Sequence, residues 1–357
     1  MPAETTATRP LSVALIGYGL AGRVFHGPLI GAACDLSLDA IVTSDAGRAA
    51  QARAAHPAAA IVPSADDVWS GSFDLVVVAS ANVTHVPFAT RALESGMHVV
   101  IDKPVGPTAG SVRALADRAQ AAGLLLVPFH NRGLDSDFLT VQRYVDALGT
   151  VHRLESRIER FRLAPKGGWR DLPEPEQMGG MLYDLGPHVI YQALRLLGPV
   201  HRVVAAVRTV RPGAVVDDDV VVTLWHENGA LTELTVGQAA IFGEPRFTVL
   251  GTRGGLRVSA SDSQEAVLVA GGDPNQDGWG VEPAGTEATL RRVDDDGRVV
   301  EESVPLEPGR WPDFYPQVAA AIRGDDAPPA PVAEAVATAA IIDAARASAA
   351  TGGVVSL

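Results

Sequence analysis

The chain has 357 residues, 47 % hydrophobic and 20 % charged, enough for about two domains with a sizeable core and incompatible with whole-chain disorder, collagen or coiled coil. Its 29 basic and 42 acidic residues give a formal net charge of −13, which argues against nucleic acid or an anionic membrane as the main partner. The single cysteine, Cys34, allows no internal disulfide and no cysteine-rich metal site; it fits a reducing compartment, and the cytoplasm is the expected location. No apolar run approaches the roughly 18–20 residues that span a bilayer.

Up to residue 129 strands and helices alternate. Residues 11–16 form a short apolar strand, and 20–30 read as a helix with a kink at Gly27-Pro28. A strand follows at 36–43 and an alanine-rich helix at 46–55. The segment 73–80 holds Leu-Val-Val-Val-Ala, apolar on both faces. Residues 84–95 are helical up to Gly96, 97–101 a strand, 108–122 a helix up to Gly123, and 124–129 a strand. Continuously apolar strands alternating with helices predict an α/β, doubly wound parallel sheet over residues 1–129.

Beyond residue 150 the strand candidates at 151–162, 201–210, 219–226 and 231–239 are longer and more polar. Arg153, Glu155, Arg157 and Glu159 alternate and so share one strand face, either wet or packed on a polar partner. Asp262 followed by Glu265 reads as the cap of a short helix, and the stretch 271–285 shows the least regular pattern. Asp296-Gly297 reads as a hairpin turn, Pro328 to Pro331 as a breaker, and 332–349 as a final helix. These features predict a second domain over 130–357, an α+β unit with a large, mostly antiparallel sheet and few helices.

Gly17-Tyr18-Gly19-Leu20-Ala21-Gly22 matches G-x-G-x-x-G between a strand and a helix, the context that gives this pattern its meaning. Gly17 permits the tight turn, Gly19 lets the backbone, with Leu20 and Ala21, approach a pyrophosphate, and Gly22 lets helix and strand pack closely. Free N–H groups and the helix dipole then hold the phosphate charge. At the end of the second strand Ser44 stands where an acid would grip the ribose of NAD, with Arg48 one turn further on. This combination favours NADP, with NAD as the alternative.

Several motifs in order resemble the glucose-fructose oxidoreductase / inositol dehydrogenase / rhizopine-catabolism (Gfo/Idh/MocA) family over nearly the whole chain. They are the segment 17–26, Ala79-Ser80-Ala81-Asn82 with His85, and Asp102-Lys103-Pro104 in place of a Glu-Lys-Pro motif. Asn131-Arg132 with Asp135 and Asp137-Phe138-Leu139, and the run from Gly179 to His188, resemble the scyllo-inositol dehydrogenase-like branch. The resemblance implies an N-terminal Rossmann domain and a C-terminal domain whose open sheet forms a homodimer or homotetramer interface. It implies cofactor contacts at Ala79, Ser80, Asn82, His85 and Asp102. It implies substrate contacts at Asn131, Trp169 and Arg170, an aromatic face at Trp169 suiting the C–H patches of a sugar.

Lys103 follows an apolar strand and precedes a proline, at the carboxyl edge of a parallel sheet where ligands bind in such folds. The resemblance implies that it hydrogen-bonds the reacting oxygen and touches the cofactor ribose. Asp184 and His188 share a face if their segment is helical; if the helix starts near Gly186, Asp184 sits just before it. Oxidising a secondary alcohol removes a hydride and a proton. His188 suits the proton, Asp184 would orient the imidazole and favour its charged form, and Lys103 would stabilise charge on oxygen. Relatives often carry an acid three residues after this histidine; here Tyr191 stands there as a candidate substrate contact. His26, His85 and His98 lack metal-ligand spacing, so no catalytic metal is expected. The resulting expectation is an NAD(P)-dependent oxidoreductase of a sugar, inositol or related polyol. Two alternatives stay open: a dinucleotide-binding regulator of the galactose-repressor type, and a redox-neutral enzyme with a tightly held nicotinamide.

Overall fold

The computed structural model describes residues 9–164, 167 and 172–357. The first sheet comprises β1 (Leu11–Ile16), β2 (Leu36–Val42), β3 (Ala60–Val62), β4 (Leu75–Val78), β5 (His98–Ile101) and β6 (Leu126–Pro128). Its order is β3-β2-β1-β4-β5-β6, all parallel. The helices among these strands are α1 (Gly27–Ala32), α2 (Ala46–Ala55), α3 (Asp66–Trp69), α4 (His85–Glu94) and α5 (Ala109–Ala122). The strand order reverses between β1 and β4, and that reversal opens the crevice in which such sheets take ligands.

The apolar runs are explained by burial on both faces. Leu75 and Val77 point into a core with Leu29, Trp311 and Phe314, whereas Val76 and Val78 point into another with Ala89, Ala92 and Leu115. Each such side chain contributes about 1.5–3 kcal/mol. Three readings shift. After the glycine loop the chain winds as a π-helical turn, Ala21–His26, closed by the Gly27 N–H on the Gly22 carbonyl. Pro28, second residue of α1, has no N–H to contribute, so the wide turn passes into α1 without a break. The short β3 and α3 carry too few apolar residues to register in the sequence.

The second sheet comprises β7 (Val151–Glu159), β8 (Val200–Arg208), β9 (Asp219–His226), β10 (Leu231–Gly237), β11 (Phe247–Gly251), β12 (Gly254–Val258), β13 (Glu287–Val293), β14 (Val299–Pro305) and β15 (Val355–Ser356). Its order is β14-β13-β12-β11-β7-β10-β9-β8-β15, antiparallel except between β7 and β10. The Asp296-Gly297 turn joins β13 to β14. This half holds more helix than its texture predicts: α6 (Ser136–Tyr144), α7 (Met181–Asp184), α8 (Gly186–Leu197), α9 (Gln264–Val269), α10 (Phe314–Arg323) and α11 (Val332–Thr351). Leu154 and Ile158 of β7 join Phe138, Ile190 and Ile341 in the core, while Arg153, Glu155, Arg157 and Glu159 lie on the opposite, open face.

The two halves are not closed units. Trp311 and α10 complete the first sheet's core, packing on Phe129 and Leu29, so the segment after β14 returns across the boundary expected at residue 129.

Candidate active site

A cleft of about 710 Å³ runs from the glycine loop to α8, bordered by Gly17, Gly19, Leu20, Ala21, Ser44, Arg48, Ala79, Ser80, Asn82, Asp102, Lys103, Asn131, Asp184 and His188. The glycines act for separate reasons. Gly17 has φ +100°, and a Cβ there would lie 2.5 Å from the Ala79 carbonyl oxygen. A Cβ on Gly22 would fall onto the Gly17 carbonyl, well inside contact distance. A Cβ on Gly19 would meet nothing within 4 Å, because it faces the open cleft. A backbone cradle that is tight behind and open in front fits the pyrophosphate of a dinucleotide.

Asp45 does not face the cleft. Its carboxylate caps α2, accepting the Arg48 N–H at 2.7 Å. Ser44 and Arg48 line the cleft at the end of β2, together with Thr43 and Ser64. Gly22 and His85 lie behind the wall. His85 is buried, with Nδ1 2.8 Å from the Pro104 carbonyl and Nε2 3.2 Å from the Ser80 carbonyl, so it ties the loop after β4 to the turn after β5.

Lys103 leaves the end of β5 through a cis peptide to Pro104. Its Nζ donates to the Asp184 carbonyl at 2.6 Å and to Asp184 Oδ1 at 3.0 Å. Asp184 ends α7, and α8 begins at Gly186 with Pro187 second, so Asp184 precedes the helix that carries His188. Gly180 fixes the entry: φ is +88°, and a Cβ would strike the Asp217 carboxylate that accepts the Leu182 N–H at 2.7 Å.

His188 is 5 % exposed, and its Nδ1 has no hydrogen-bond partner among the described residues. The expected orienting contact from Asp184 is thus not made at Nδ1; the Asp184 carboxylate engages Lys103 instead. Burial, then the charges of Lys103 and Arg132, hold the imidazole well below its ordinary pKa. The ring is a neutral base, not the charged form that an adjacent acid would favour.

Tyr191 does not border the cleft. Its ring stacks on His130 at 4.2 Å and 11°, and both side chains are buried. Burial, then Lys103, lowers His130 to about 3. Trp169 and Arg170 lie outside the described residues. Arg132, Arg160, Glu265 and Trp311 border the cleft without having been singled out as site residues. Arg132 donates to Asp135 at 3.0 Å and Glu265 at 2.7 Å. The capping pair expected from Asp262 and Glu265 does not form: Asp262 accepts the Gln264 N–H at 2.8 Å, while Glu265 pairs with Arg132. Arg160 and Trp311 arrive from distant segments, so no local pattern marks them.

A dinucleotide cradle joined to a lysine–aspartate pair and a buried histidine defines a nicotinamide-type oxidoreductase architecture. The comparisons agree. The oxidoreductase-family model for the NAD-binding Rossmann fold matches residues 11–130, and that for the C-terminal alpha/beta domain matches residues 145–357. The chain belongs to the Gfo/Idh/MocA oxidoreductase family. It is 34 % identical over 333 residues to the uncharacterized oxidoreductase YdgJ of Escherichia coli, covering 91 % of this chain and 92 % of that one. It is 30 % identical over 345 residues to the scyllo-inositol 2-dehydrogenase (NADP(+)) IolW of Bacillus subtilis, covering 95 % and 93 %. The solved structure of yvaA from Bacillus subtilis superposes with a TM-score of 0.92 at 28 % identity, over 98 % of this chain and 99 % of that one.

Proposed function

We propose that the protein is an NADP-preferring oxidoreductase that interconverts a secondary alcohol and a ketone on an inositol, sugar or related polyol. The observation that carries this reading is that Lys103 and His188 both line the cleft that begins at the glycine loop. The similarity to IolW supports the substrate class, and the Ser44/Arg48 pair supports NADP.

The bound nicotinamide supplies the hydride acceptor or donor. The protein's own groups handle the oxygen. Lys103 has three N–H donors; Asp184 takes two, leaving one for the substrate oxygen. In oxidation neutral His188 accepts the hydroxyl proton at Nε2, while the ammonium stabilises charge growing on that oxygen. In reduction the proton returns from His188. Asn131, 5 % exposed at the cleft wall, is the proposed contact to a neighbouring hydroxyl. We further propose that copies associate through the open face of the second sheet, and that the protein works in the cytoplasm.

Fluorescence titration with NADPH and NADH, followed by rates with NADP+ and a panel of inositols and aldoses, tests the reading. Tighter NADPH binding with turnover of a polyol is expected. Binding without turnover across the panel would leave a regulator; a preference for NADH would overturn the cofactor choice.

A further inference from the structure

The mechanism makes no use of His26, a histidine with 0 % exposure that lies at the end of the turn following the glycine loop. Its Nδ1 is 2.6 Å from the Tyr315 hydroxyl of α10, and its Nε2 is 3.8 Å from Asp102 Oδ2. Its ring lies 4.1 Å from that of Phe129. On its other oxygen, Asp102 accepts the backbone N–H of Lys103 at 2.8 Å. Three separated segments therefore meet behind the lysine: the cofactor loop's helical turn, the end of β5, and α10.

We propose that His26 is a positioning residue for Lys103, acting through the Asp102 carboxylate and itself held by Tyr315. The inference rests on the dehydrogenase reading for its catalytic consequence. His26 does not border the cleft, whereas Asp102 and Lys103 do, so it acts through them. A carboxylate only accepts hydrogen bonds, so the ring must turn an N–H toward Asp102; a lone pair there would be repelled. Nε2 therefore turns an N–H to Asp102, and Nδ1 meets the Tyr315 hydroxyl at 2.6 Å. Burial, with the Asp102 charge adding to it, raises the Tyr315 hydroxyl well above its ordinary pKa, which keeps it a donor. At 3.8 Å the Nε2–carboxylate contact is electrostatic rather than a hydrogen bond. It still holds one oxygen of Asp102 from behind while the other grips the Lys103 backbone. Burial alone would raise the Asp102 carboxyl; His26, Lys103 and His85 together outweigh it and hold it below the usual carboxylate range. The carboxylate is thus kept charged and fixed, and the lysine stem leaves the turn in one direction, toward Asp184.

The chain has two lysines, Lys103 and Lys166, so the amine of Lys103 can be followed by acetic anhydride labelling and mass spectrometry with Lys166 as internal reference. This readout needs no substrate. His26→Phe and Tyr315→Phe in the full chain are expected to raise Lys103 labelling at least about three-fold and to lower kcat about ten-fold or more, with the KM for cofactor within about two-fold. His26→Gln, which offers an N–H to Asp102 and a carbonyl to Tyr315, is expected to restore both to within about two-fold of wild type. Lys103 labelling unchanged in His26→Phe at unchanged melting temperature would overturn the proposal, as would His26→Gln behaving like His26→Phe. If His26→Phe does not fold, Tyr315→Phe, which removes one hydroxyl, decides by the same labelling. If the wild type turns over no polyol, the dehydrogenase reading fails while the labelling arm still gives its answer.

Discussion

Lys103 and His188 divide the work because their surroundings differ. Asp184 pairs with the ammonium at 3.0 Å and aims it, whereas burial and then the nearby cations, Lys103 first, hold the imidazole well below its ordinary pKa. Replacing Lys103 with methionine removes the donor at the reacting oxygen and is expected to lower kcat by about 10²-fold to 10³-fold. NADPH affinity measured by fluorescence should change little, since the glycine loop holds the phosphates. The depressed His188 pKa also sets the pH profile. Oxidation needs the unprotonated ring, so its kcat/KM should stay flat through neutral pH and past 6.5, falling only at lower pH. Reduction needs the protonated ring and should accelerate as pH falls. An oxidation profile with its inflection above pH 7 would contradict this assignment. At this scale the lysine and histidine were legible from motif and position. The partner of Asp184 was not, because helical spacing says which residues share a face and not which charge wins. Lys103, 81 positions away along the chain, reaches the carboxylate first.

At the scale of elements, the glycine loop separates packing from binding. Gly22→Ala pushes a Cβ onto the Gly17 carbonyl and is expected to destabilise the fold by about 1–3 kcal/mol, read in denaturant melts. Gly19→Ala meets nothing within 4 Å; it should leave the melt unchanged and weaken NADPH binding. Equal effects from the two changes would refute the separation. The parallel strands were readable because both faces are buried and the apolar run is continuous. The helices of the second half were harder. Helix α10 had no sequence expectation, although its Pro316 sits in the first turn, where a missing N–H costs nothing. Helix α9 is short, and its Asp262 also accepts the Ser136 N–H from α6 at 2.7 Å, a contact with no local signature.

For the whole molecule, the return of the chain after β14 is the main feature invisible to a residue-by-residue reading. Trp311 is 0 % exposed, packs edge-on to Phe25 at 5.7 Å, and donates to Asp135 at 2.7 Å. Burial pushes the Asp135 carboxyl up against the opposing pull of Arg132, so the indole N–H is one of few partners offsetting its desolvation. Trp311→Ala is therefore expected to cost about 3–5 kcal/mol, measured by denaturant unfolding, and to lower NADPH affinity because the residue borders the cleft. Both halves should unfold in one transition, since Trp311 and α10 are built into the first core; two separated transitions would mean that the shared core does not couple them. The charge balance and the two-domain size were readable from composition, but this shared core depends on contacts nearly 290 positions apart, such as His26 to Tyr315.

The most direct measurement is deuterium transfer from a carbon-deuterated inositol to NADP+, followed by mass spectrometry of the nicotinamide in the wild type and in a Lys103→Met/His188→Ala double variant. Label in the wild-type product and its near-absence with the variant, at equal cofactor binding, is the predicted result. Equal transfer by both proteins would contradict the account.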